Sequence, residues 1–124
     1  MANGSLKRNS TFKLVWENPN PTAEFAAQTV SVDLSDYDAV IISAATNGDV
    51  FGTLLIMKGG GGNFRYPSRP STSPYNPIFY ARQINSVTNS GVSFGKGQIR
   101  VMNSTTNTDD NSALIPQVII GVKF

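Results

Sequence analysis

The chain has 124 residues, enough for one domain with one core, and a domain of this size hides roughly two-thirds of its extended-chain surface on folding. Ten basic and eight acidic residues leave a net charge of +2, too even a balance to bind nucleic acid by phosphate neutralisation alone. With no histidine and no cysteine, Ser-His-Asp and Cys-His constellations, thiolate metal sites and a disulfide framework are all excluded.

Residues 1–10, MANGSLKRNS, read as a flexible arm whose charges are Lys7 and Arg8. They lack the apolar stretch of a signal peptide, and nowhere does the sequence approach the roughly 18 consecutive apolar residues of a membrane span. The domain is expected over 11–124. Phe12, Leu14 and Trp16 alternate with Lys13, Val15 and Glu17, the period of a strand with one face toward a core, which makes Trp16 a core residue. NPNP at 18–21 ends that strand, since proline offers no N–H to a ladder. PTAEFAAQ at 21–28 could close one helical turn or none.

Val30, Val32 and Leu34 resume the alternation, and LSDYD at 34–38 supplies turn acceptors before AVIIS, which is apolar on both faces. LSDYD therefore reads as a corner between a half-exposed strand and a buried one. Asn47-Gly48 marks a turn, and Phe51 to Met57 a further strand. From GGGG at 59–62 to Pro77 the glycines, prolines and serines predict the longest loop. Strand composition returns at 78–84, 91–94, 99–101 and 116–123, with a polar loop at 103–112. Short strands between turn signals, without a helix-length amphipathic segment, predict an all-β fold: an antiparallel β-sandwich, jelly-roll-like, or a small barrel.

Candidate chemistry is sparse. Asp33, Asp36 and Asp38 lie close in sequence, as paired carboxylates of a glycosidase would, but turn positions suit Asp as a backbone cap. KGGGG at 58–62 has its lysine before the glycines, the reverse of a phosphate loop. Asp109 and Asp110 lack the glycine and closing glutamate of a calcium loop. No metal, cofactor or catalytic residue is expected. The segment NFRYPSRPSTSPYNP at 63–77 is the most informative, with Phe64, Tyr66 and Tyr75 interleaved with Arg65 and Arg69. Aromatics and arginines on a stiff loop suit a ligand or a partner surface, or they fold back to cap the domain.

KLVWENPNPTAEFAAQTVSVDLSDYDAVIIS at 13–43 and IPQVIIGVK at 115–123 resemble a pattern of small structural proteins and tail-fibre domains of tailed bacteriophages. The resemblance rests on W-x-N-x-x-P-x-x-x-F-x-A-Q-T, L-S-x-Y-D and I-P-x-x-I-x-G-x-K, covers about a third of the chain, and includes Trp16, Phe25, Ala27, Gln28, Leu34, Tyr37 and Gly121. It implies a non-enzymatic virion β-sandwich made in the host cytoplasm, tail- or baseplate-associated, commonly trimeric, able to contact a host-surface glycan, with no nucleic-acid or membrane partner. A head or collar decoration protein fits the same pattern. A carbohydrate-binding module using Tyr66 and Tyr75 is the alternative of another class.

Overall fold

The computed structural model describes residues 11–46, 49–68, 78–101 and 106–124. Nine strands make two antiparallel sheets packed face to face, a β-sandwich. They are β1 (Thr11–Glu17), β2 (Gln28–Ser31), β3 (Ala39–Thr46), β4 (Asp49–Met57), β5 (Gly62–Ser68), β6 (Ile78–Thr88), β7 (Gly91–Val101), β8 (Thr108–Asp109) and β9 (Ile115–Lys123). The first sheet runs β1-β9-β3-β4 and the second β2-β7-β6-β5, with β8 on the same edge of β7 as β2. No helix occurs among the described residues, and 21–27 are a turn and irregular chain leading into β2.

The corner reading of LSDYD holds in a stronger form, because β2 and β3 belong to different sheets. Asp33 Oδ1 accepts from the Ser35 N–H at 3.0 Å and hydroxyl at 2.6 Å, the Tyr37 N–H returns to Leu34 O, and the chain crosses the sandwich. Leu34 is buried there, and the Tyr37 ring lies on Gly121, where a Cβ would stand 2.7 Å from the ring. A glycine is needed at that crossing because the ring occupies the space of any side chain.

The first strand departs from its sequence pattern. Leu14 pairs with Ile120 but Trp16 with Ile119, so a bulge at Val15 shifts the alternation by one. Trp16 packs on the core as expected, whereas Phe12 and Leu14 point to the outer face. Trp16, Phe25 and Phe94 stack edge-to-face, with centroids 6.3 and 5.4 Å apart. Around them Val40, Ile42, Ile56, Phe64, Ile84, Val87, Val92 and Ile119 fill the space between the sheets.

The loop expected over 59–77 is partly a strand. β5 occupies Gly62–Ser68 at the edge of the second sheet, where the missing N–H of Pro67 interrupts nothing on its open side. Likewise 91–94 and 99–101 are one strand, β7, continuous through Gly95 and Gly97. A Cβ at Gly97 would overlap Asp110 O and come within 2.7 Å of the Arg82 guanidinium.

Arg82 explains that crowding. It lies on β6 with its side chain inward and 1% exposed. Nε donates to Leu114 O at 2.8 Å and Ala113 O at 3.2 Å, Nη1 to Gly95 O at 2.8 Å and Phe25 O at 3.0 Å, and Nη2 to Ala113 O at 2.9 Å and Asn111 O at 3.1 Å. The Phe25 ring lies 5.5 Å from its carbon centre. Burial pulls the guanidinium down to about 10, with the Asp110 charge opposing, and carbonyls around the N–H fork favour the charged form at neutral pH. One buried cation thus ties β6, β7, the 25 region and the segment before β9 without touching a carboxylate.

Candidate functional site

The alternation along β5 sorts the residues singled out in the sequence. Phe64 is buried in the core, 1% exposed, which corrects its reading as a surface contact. Tyr66 also faces inward, half-buried against the core, with its ring where a Cβ of Gly52 would be. Both fold back and cap the sandwich interior. Arg65 points outward and is exposed. Arg69 and Tyr75 lie outside the described residues.

Arg65 lines a cleft of about 530 Å³ on the outer face of the second sheet. Cross-strand register builds it in three rows. Asn63 of β5 lies opposite Gln83 of β6, Ala81 of β6 lies between Arg65 of β5 and Gln98 of β7, and Phe79 of β6 between Pro67 of β5 and Arg100 of β7. Residues directly opposite on one face are near neighbours, so these side chains surround Ala81. The concavity follows from that alanine: a small side chain sits among Arg65, Gln98, Phe79 and Gln83, and its methyl forms the floor.

Charge in the cleft is basic. The carboxylate nearest its rim, Asp109, is bound by Lys96 Nζ at 2.7 Å and by Gln98 Nε2 at 3.1 Å. Those bonds, Lys96 first and Gln98 second, hold Asp109 below its usual range despite its exposure. Arg65 has no carboxylate partner among the described residues. The cleft therefore combines the guanidiniums of Arg65 and Arg100, the amides of Asn63, Gln83, Gln98 and Asn107 and the Phe79 ring, with the buried Arg82 also in its lining.

The acidic residues serve the backbone. Asp38 Oδ2 accepts from the Phe124 N–H at 2.9 Å, and Asp110 Oδ1 from the Ser112 N–H and hydroxyl. Asp33 caps Ser35, which holds its carboxyl below the usual range. No group of three or more acidic side chains able to hold a metal ion occurs among the described residues.

The second surface of note is the outer face of the first sheet. Leu14, Ile120, Ile41 and Leu55 form one cross-strand row and Phe12, Val122, Ala39 and Met57 the next. The inner members are half-buried or buried, while Phe12 is 62%, Leu14 52%, Leu55 56% and Met57 53% exposed. Sequence reading missed this face because the bulge at Val15 hides the outward turn of Phe12 and Leu14.

Comparison with known proteins found no matching family model, no matching curated protein and no matching solved structure.

Proposed function

We propose that the protein is a non-enzymatic structural component of a bacteriophage virion, tail- or baseplate-associated, that assembles with copies of itself through the outer face of its first sheet. The supporting observation is the uncharged double row from β1 to β4, two rows of four apolar residues, bordered at one end by Glu17, Ser43 and Thr53. An apolar centre with a polar rim is the build of a protein interface, and a contiguous exposed patch of this kind marks a contact site.

A second copy is the occupant that fits. Both open edges of one sheet expose an apolar pair on the same face, Phe12 with Leu14 on β1 and Leu55 with Met57 on β4. A head-to-tail contact between one end of this face and the other end on the next copy closes into a ring when the rotation allows, and the trimer that the resemblance implies is such a ring. The arm at 1–10 carries only Met1, Ala2 and Leu6 as apolar side chains, too few to cover the face. Residues that carry the phage resemblance hold the sandwich together: Trp16 and Phe25 stack on each other and Tyr37 lies on Gly121.

Sedimentation across a concentration series should give a trimer that Leu14→Asp and Leu55→Asp each dissociate into folded monomers, and immunogold labelling should mark virions at the tail. A strict monomer at high concentration, or unlabelled particles, would count against the reading.

A further inference from the structure

From the cleft on the second sheet we infer a binding site for an acidic saccharide, a sugar carrying a carboxylate or phosphate. This site is separate from the assembly face and does not depend on the virion reading.

Three features converge on that ligand class. A sugar hydroxyl both donates and accepts hydrogen bonds, and so does a side-chain amide; Asn63, Gln83 and Asn107 bring such amides to one concavity, and Gln98, whose Nε2 donates to Asp109, adds its oxygen as an acceptor. A sugar ring also has an apolar face, for which Phe79 beside the Ala81 methyl provides a flat apolar wall. For an anion on the sugar the cleft offers guanidinium groups: Arg65 and Arg100 stand on the two strands flanking β6, at diagonal positions about the Phe79–Ala81 floor. A guanidinium fork pairs with carboxylate or phosphate oxygens through parallel N–H bonds, which gives direction as well as charge.

The same features disfavour nucleic acid. A net charge of +2 and the guanidiniums of Arg65 and Arg100 make no basic track along which a phosphate backbone could run. The nearby acid does not oppose an anion, because Asp109 is engaged by Lys96 and Gln98. The cleft volume of about 530 Å³ lies within the range of small-molecule sites.

The test is a titration of the full chain, followed by amide NMR shifts, with D-glucuronic acid, glucose 6-phosphate, neutral glucose and a thymidine oligonucleotide. The expected result is shifts confined to β5, β6 and β7 with one or both acidic sugars, and affinity about tenfold weaker for Arg65→Gln and for Arg100→Gln. The two acidic sugars distinguish a carboxylate from a phosphate ligand. Ala81→Leu, which fills the floor from the solvent side, should abolish the shifts while the rest of the spectrum is retained. Binding unaffected by Arg65→Gln and Arg100→Gln, equal response to glucose, tighter binding of the oligonucleotide, or no response to either acidic sugar would each overturn the inference. A monomeric protein that still binds would overturn only the assembly reading.

Discussion

The two outer faces of the sandwich are built on the same strand geometry yet differ in what they offer a partner. On the first sheet the outward positions of β1, β9, β3 and β4 are Leu, Ile, Phe, Val, Ala and Met, without a charge in either row. On the second, the outward positions of β5, β6 and β7 are Asn, Arg, Gln, Phe, Ala and Arg. The first face gains by excluding water over a broad area, which suits another protein surface. The second has directional donors around a small hollow, which suits a hydroxylated ligand. Such a division of labour would let one small sandwich join an assembly while leaving a site open.

The largest expected effect tests what both faces stand on. Arg82→Met removes all six guanidinium hydrogen bonds to the carbonyls of Phe25, Gly95, Asn111, Ala113 and Leu114, and the loss should be at least about 4 kcal/mol by urea denaturation. Arg82→Lys should recover little, because an ammonium cannot reproduce the planar fork. Next comes a contrast between neighbours on β5. Phe64→Ala should cost about 3–5 kcal/mol through the cavity it leaves, and Arg65→Ala less than about 0.5 kcal/mol, measured by thermal unfolding. If the two changes cost the same, the inward and outward assignment of β5 is wrong.

Smaller effects address the faces themselves. Leu55→Asp should change monomer stability by less than about 1 kcal/mol, since the side chain is already 56% exposed, while abolishing self-association in sedimentation. The smallest effect concerns Asp109. Its folded pKa lies below the ordinary 3.8, so its contribution is present above that value and lost as pH falls through the folded one. An NMR titration should find the Asp109 midpoint below 3.8 and Lys96→Met should raise it, with little change in overall stability because the pair is exposed.

Much of the architecture was legible because burial imposes period two on strands. AVIIS reads as a central strand covered on both faces; β3 is indeed central, between β9 and β4, but the second sheet covers only its inner face, and Ile41 on the outer face is half-buried. The failures have local causes. One extra residue at Val15 reverses the sides of Phe12 and Leu14 relative to Trp16, and no composition rule marks a bulge. In F-R-Y-P the alternation of β5 is visible, but flanking glycines and prolines outweighed it; an edge strand tolerates them. Of the candidate contact residues, Arg65 reaches the cleft while Phe64 and Tyr66 support it from inside. Gln83, Gln98 and Arg100 join from strands distant in sequence, so only tertiary register assembles the set. Arg82 could have been suspected from Y80-x-R82-x-I84, which places it on an apolar face.

The guanidinium clasp also sets an order on biosynthesis. Its acceptors at Asn111 and Leu114 lie 29 and 32 residues downstream, and β9 must slide between β1 and β3 before the first sheet exists. While the ribosome still holds those residues, the nascent polypeptide keeps a hydrated cation and a first sheet that lacks the strand joining β1 to β3.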